Sequence, residues 1–295
     1  MSEKNKAHDE FTADIVSENP NVIQILKTGL EKEISEVLLW DSLKKEDGTF
    51  VTKELSKIQS DALFSIKTKR SSKLEIYILF EHKSYVDKNI HTQLGGYLME
   101  IYRKQTKPKL VLPFVLYHGK NNWNIKPVFI DNFDLHPDDL KLFSRYFPNF
   151  EFSLMDLGKT DVNELDMSLG LKSMMFALKY IWDLNSDESL KAFILLLKDL
   201  FFAQKEQLIL ERIIVYLYTS SKIKPERLEK IISEVISSEK AGIAMSTAEL
   251  LREEGIEKKE REIVINMFSE GLSSEQIANY THLPLETIIE IEKEK

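Results

Sequence analysis

The sequence predicts an α/β protein: a mixed sheet flanked by helices, followed by an all-helical C-terminal region. Three observations predict it. Short β-prone runs alternate with helical segments as far as about Leu157. Beyond about Val162 strand signals stop, and apolar-periodic segments follow one another with short polar breaks. The composition (43% hydrophobic, 30% charged, 10 Gly and 8 Pro in 295 residues) is that of an ordered, helix-rich chain long enough for about two cores.

In chain order, Asn21 to Val37 carries Val22, Ile23, Ile25, Leu26, Leu30 and Ile34, the spacing of an amphipathic helix. Asp47-Gly48 signals a turn. Asp61 to Ile66 and Leu74 to Phe80 read as strands, with the polar run Lys67 to Lys73 as their hairpin. A helix from about Asn89 to Gln105 precedes Leu110 to Tyr117, a continuous apolar run suited to burial on both faces of a sheet. Its Pro113 argues against a central strand. Phe150 to Leu157 supplies a further strand. Met167 to Trp182, Leu190 to Phe202, Gln207 to Tyr218 and Pro225 to Ile236 then read as helices. Glu249 to Glu262 is a charged helix or linker, and Ile263 to Glu292, broken at Gly271-Leu272-Ser273 and reopened by Pro284, has a helix-turn-helix-like layout. The expected organisation is an α/β domain over 1–160, a helical region over 161–240 and a tail over 241–295.

The chain has no Cys, which excludes disulfides, thiolate metal sites and cysteine nucleophiles. Neither an apolar leader nor a run of roughly 20 apolar residues is present, so the sequence predicts a cytoplasmic protein with no membrane partner. A net charge of -8 argues against polyanion binding if the charge is evenly spread. It is not evenly spread. From Lys53 to Lys109 there are 12 basic and 6 acidic side chains, a net of +6 that leaves -14 for the remainder. An ordinary charged surface fluctuates in this way too, but the segment also holds the residues best suited to chemistry.

Those residues lie in the stretch Leu79 to Tyr102. Glu81 and Lys83 share one face of a strand end, because strand side chains repeat every two residues, while Phe80 and His82 take the other face. A carboxylate and an ammonium where an apolar strand ends are costly unless they pair or perform chemistry. Asp61 opens the adjacent strand, and the hairpin would bring it alongside Glu81. Two carboxylates and a backbone carbonyl suit a hard cation such as Mg²⁺, and Lys83 would orient water or stabilise charge on a phosphate. As a lone tripeptide, Glu-x-Lys is more often a surface pair.

In this order, HDEF (His8 to Phe11), TFVTKELSKIQSDALF (Thr49 to Phe64), LFEHKS (Leu79 to Ser84), QLGGYLMEIY (Gln93 to Tyr102) and LPFVLYHGKNNW (Leu112 to Trp123) resemble the Rpn recombination-promoting nucleases, often labelled transposases, of the PD-(D/E)XK superfamily. The resemblance covers about half the chain. It implies a restriction-endonuclease-like fold with a four-stranded mixed sheet and Mg²⁺-dependent DNA cleavage, with Mn²⁺ or Ca²⁺ as substitutes. Asp61 matches the metal-binding Asp, Glu81 the second carboxylate, Lys83 the lysine position, and the carbonyl of His82 is the backbone metal ligand. Ser60 stands where the family usually has Pro. Gln93 and Tyr97, four apart on one helix face, look like the QxxxY element of RecB-like nucleases.

Tyr97 reads equally well as core packing. Gly95 and Gly96 would let a backbone approach Gln93 closely. Asp9 is either a distal carboxylate or a helix N-terminal charge, and His82 and His118 read as structural. Lys67, Lys69, Arg70 and Lys73, with Tyr97, are the expected DNA-binding residues. In the tail, Ser274 to His282 has no Lys or Arg, a poor base or phosphate reader, so assembly or regulation is as good a role. A homo-oligomer, or a C-terminal regulatory fragment starting at Met245, is the corresponding partner. The reading is thus a Mg²⁺-dependent DNA endonuclease, and its rival is a catalytically silent DNA- or protein-binding module of the same fold. A transposase proper would need a third placed carboxylate, and none is identified.

Overall fold

The structure is a computed structural model that describes residues 3–46, 62–69 and 71–293. It divides into two compact units, Met1–Ile223 and Lys224–Lys295.

The first unit opens with helices α1 (Glu3–Ser17), α2 (Asn19–Gly29) and α3 (Lys32–Val37), then strands β1 (Leu38–Lys45), β2 (Ala62–Thr68) and β3 (Ser71–Lys83). Helix α4 (Ile90–Arg103) leads to β4 (Val111–Tyr117), α5 (Pro137–Phe143) and β5 (Ser153–Asp156). Helices α6 (Leu169–Tyr180), α7 (Asp187–Leu196), α8 (Lys198–Phe202) and α9 (Gln207–Ser220) complete it. The strands form a mixed sheet in the order β1-β2-β3-β4-β5. β1 to β3 pair antiparallel, whereas β3-β4 and β4-β5 are parallel. The α/β class and the C-terminal helices are therefore as the sequence predicts.

The sheet has five strands among the described residues, where four are expected, and β1 is the addition. Two features conceal it. Its pairing with β2 shifts register between Leu39 and Lys44, and its two buried residues, Leu38 and Leu43, are five apart, so the two-residue alternation breaks within the strand. The predicted helix over 21–37 is likewise divided, ending at Gly29 and resuming at Lys32. Asp47-Gly48 lies outside the described residues.

Pro113 proves compatible with an internal strand. Tyr77 N donates to Leu110 O and His118 N to Lys83 O, so even-numbered β4 residues bond to β3, and Leu157 N donates to Tyr117 O, so odd-numbered ones face β5. The β5 ladder begins only at Phe114-Ser153. The N–H that Pro113 lacks therefore faces a position β5 does not reach.

The two faces of β3 bury different layers. On the front, Leu63, Tyr77, Leu79, Val111 and Val115 pack against Ile90, Leu94, Tyr97, Leu98 and Ile101 of α4. That helix forms because its apolar positions recur every three or four residues and so make one stripe. On the back, Phe80 meets Phe114 at 5.4 Å between ring centroids, and helices pack so closely that a Cβ on Gly29 would stand 2.6 Å from the Phe114 ring.

The second unit contains α10 (Pro225–Val235), α11 (Ser238–Ser269), α12 (Ser274–Thr281) and α13 (Leu285–Lys293). Val264, Ile277, Ile288 and Ile291 form its small C-terminal core. Gly271, at φ 85°, ends α11, and Ser273 with Gln276 caps α12 reciprocally. The three-helix layout of the tail is as predicted. α12 and α13 carry Glu275, Glu286, Glu290 and Glu292 against Lys293 alone. No helix among the described residues is long and apolar enough to cross a membrane.

Candidate active site

The end of β3 and the first turns of α4 bring four of the sequence-selected residues together. Lys83 Nζ lies 2.9 Å from Glu81 Oε1 and 2.7 Å from Gln93 Oε1. Gln93 Nε2 donates to the same Glu81 oxygen at 2.7 Å and to the Tyr97 hydroxyl at 3.0 Å. The side chains of Glu81 and Lys83 are 1% and 8% exposed. A buried carboxylate and ammonium in this setting attract strongly, and each also needs hydrogen bonds to offset its lost hydration, which Gln93 supplies to both.

Asp87 is a fifth member that sequence reasoning missed. Its Oδ2 is 3.2 Å from Lys83 Nζ, and its Oδ1 accepts from Asn89 N at 2.9 Å. The carboxylate thereby fastens the loop from Ser84 to Asn89 to the strand end and to the start of α4. The four-residue separation from Lys83 was visible in the sequence, but in a loop that spacing carries no fixed geometry.

The second oxygen of Glu81, Oε2, is buried and has no hydrogen-bond partner among the described residues. Leaving a carboxylate oxygen so costs free energy unless a cation or donor completes it. Because odd β3 residues bond to β4, the peptide groups of even residues, His82 among them, face the β2 side of the strand. A buried carboxylate oxygen with no partner among the described residues is chemically suited to a hard divalent ion. Asp61 lies outside the described residues. Among the described residues no three His, Asp or Glu side chains converge as a metal nest.

Other sequence candidates fall elsewhere. Tyr97 is a core residue, 7% exposed, whose hydroxyl accepts from Gln93 Nε2. Gly96 faces open space, and a Cβ on Gly95 would rest 3.6 Å from the Phe150 ring, an ordinary contact, so neither marks a close backbone approach. Lys67 and Lys69 are exposed, but Lys67 pairs across the hairpin with Glu75, six residues from Glu81 and hence about 20 Å along the strand. Arg70 and the side chain of Lys73 lie outside the described residues. Of the other basic residues, Lys109 is paired with Glu75, whose hydrogen bond raises its pKa most, and Arg103 with Glu100.

Asp9 belongs to the back of the sheet, in the interior of α1, with Oδ1 3.3 Å from His82 Nδ1. It approaches β3 from the side opposite Glu81. His82 stacks on His118 at 5.0 Å, and His8, Trp182 and Tyr216 close around them. Burial, reinforced by the His82 and His8 rings, pushes the His118 pKa well below the usual imidazole value. The cluster ties α1 and the later helices to β3 and β4. Tyr117, beside Lys83 in the sheet, is no candidate base: burial, then the Asp156 charge, pushes its pKa up to about 12.

With this geometry established, comparison with known proteins gives the family. A family model described as "Putative transposase, YhgA-like" matches residues 6–208, well over half of the chain, and the chain belongs to this Rpn and transposase-like family. It is 27% identical over 157 residues to the "Recombination-promoting nuclease RpnD" of Escherichia coli O157:H7, covering 50% of this chain and 59% of that protein. It is 30% identical over 94 residues to the "Putative inactive recombination-promoting nuclease-like protein YjiP" of Escherichia coli strain K12, covering 32% and 90%. No solved structure matches.

Proposed function

We propose that this chain is a metal-dependent deoxyribonuclease of the PD-(D/E)XK type, cutting phosphodiester bonds of cytoplasmic DNA in recombination or mobile-element processing. The observation that carries the reading is the buried Glu81-Lys83-Gln93 constellation, in which one carboxylate oxygen is engaged and the other is left open. The nuclease name of one relative supports the same reading.

Asp61, next in the chain to Ala62, would hold Mg²⁺ with Glu81 and the carbonyl of His82, and the bound ion would neutralise phosphate oxygens and acidify water. The three N–H bonds of Lys83 point at Glu81, Gln93 and Asp87, so it would donate to the attacking water or to the charge growing on the phosphate by giving up the longest of these, to Asp87 at 3.2 Å. Gln93 holds that ammonium in place through Oε1 and fixes the Glu81 rotamer through Nε2. Tyr97, packed in the core, holds Gln93. Attack is by water, so no covalent enzyme intermediate forms.

A second reading, a silent DNA- or protein-binding module, has the inactive label of the other relative in its favour. Plasmid nicking separates the two. Native protein with Mg²⁺ is expected to nick, while Asp61→Ala, Glu81→Gln and Lys83→Ala do not. Equal nicking by all four discards the site; DNA binding without nicking by the native chain selects the second reading.

A further inference from the structure

The loop between β3 and α4 carries Tyr85, a large aromatic that the chemistry above does not use. Its neighbours Ser84 and Val86 are buried and half-buried, yet Tyr85 is 50% exposed. Its ring centroid stands 5.9 Å from Lys83 Nζ. Its hydroxyl makes no hydrogen bond to a described residue. A single exposed aromatic needs no explanation by itself. This one is distinguished by where it is and by how firmly it is held.

The loop is fixed at both ends. Lys83 O accepts from His118 N, Asp87 bridges Lys83 Nζ and Asn89 N, and Ile90 N donates to Asp87 O. The exposed ring therefore projects from a braced segment beside the ammonium proposed to face the scissile phosphate. Three residues on, Lys88 is exposed and makes no ion pair with a described residue. An aromatic face and a cation on one rigid edge are the elements with which proteins hold an unstacked nucleotide: a base lies on the ring and a phosphate meets the charge.

We infer that Tyr85 is a positioning residue on which an unpaired base next to the scissile phosphate stacks, so that single-stranded or locally opened DNA is the preferred substrate. The inference rests on the nuclease reading of the Glu81-Lys83 site. Stacking on a neutral ring is indifferent to base identity, because every base has a π-face. It therefore sets strandedness rather than sequence. The hydroxyl has no part in it, so phenylalanine should serve as well as tyrosine.

The test uses the full chain without divalent metal, so that no cleavage intervenes, and two labelled 12-nucleotide single strands of equal charge, one normal and one with abasic sugars throughout. Anisotropy titrations give the ratio of their dissociation constants. Native protein and Tyr85→Phe are expected to favour the normal strand by roughly tenfold, and Tyr85→Ala to bring the ratio close to one. An unchanged ratio in Tyr85→Ala, a native ratio near one, a loss in Tyr85→Phe equal to that in alanine, or no binding to either strand overturns the assignment. The nuclease reading fails separately, by absence of Mg²⁺-dependent nicking, and the ratio still reports on the ring.

Discussion

Lys83 and Gln93 meet at 2.7 Å across the gap between a strand end and the first turn of a helix, and both contact the same oxygen of Glu81. Gln93 is thus both acceptor for the cation and donor to the anion. The amide does both from one side chain: Leu would do neither, and Glu would add a second negative charge. Gln93→Leu should reduce turnover by about 10- to 100-fold, in the range of other residues that orient a catalytic group, with little change in DNA affinity. Steady-state cleavage with a parallel binding titration checks this; a fall in affinity with unchanged turnover would place Gln93 in substrate binding instead.

Removing the Lys83 ammonium strands the Glu81 charge. Breaking a buried pair in this way typically costs about 3–5 kcal/mol, so Lys83→Met should unfold well below the native protein in urea as well as lose cleavage. Glu81→Gln combined with Lys83→Met should recover much of the stability and none of the activity. If the double variant is no more stable than Lys83→Met, the pair is not energetically coupled.

Tyr97 separates packing from positioning. Tyr97→Phe keeps the ring in the α4 core and removes the hydrogen bond to Gln93, a loss of about 1 kcal/mol in stability. Tyr97→Ala also opens a cavity and should cost about 3–5 kcal/mol. Turnover should fall in the phenylalanine variant while KM holds, which a direct DNA-contact role would reverse.

Burial lowers the pKa of His91, and burial with the His82 and His8 rings lowers that of His118 further. Both rings favour the neutral form more strongly in the folded than in the unfolded chain, where they titrate near pH 6.5, so the unfolded chain binds more protons as the pH falls below about 6.5. The stability is complete above that pH and is lost on acidification. The melting temperature should therefore be lower at pH 5.5 than at pH 7.5. A flat profile would mean that neither ring is protected.

Gly29→Ala tests the packing of α2 on the sheet. The added Cβ would lie 2.6 Å from the Phe114 ring and 3.2 Å from Met155 Cβ, and neither can withdraw from a filled layer. A loss of about 1–3 kcal/mol by denaturant titration is expected. Gly96→Ala, which meets nothing within 4 Å, is the matched control.

Much of this was readable from the residues because the relevant signals are local. Glu81 and Lys83 announce themselves by two-residue spacing at the end of an apolar run, and α4 by a stripe that includes Gln93 and Tyr97 on neighbouring positions. What escaped depends on contacts between distant parts of the chain. β1 is concealed by an irregular register, Asp9 is drawn to His82 by the way α1 packs across the back, and the basic hairpin proves distant only once β3 is seen to run 13 residues. Asp87 escaped because a loop imposes no period.

The alternation along β3, with Glu81 and Lys83 on one side and Phe80 and His82 on the other, makes this strand intolerant of insertions and deletions. One residue gained or lost ahead of Phe80 would exchange the two sets, turning an aromatic ring toward α4 and a buried charge into the histidine layer. Length changes compatible with a working protein should therefore collect in the connections between strands, and frame-preserving indel libraries across Ile76 to Lys83 should return almost no folded clones.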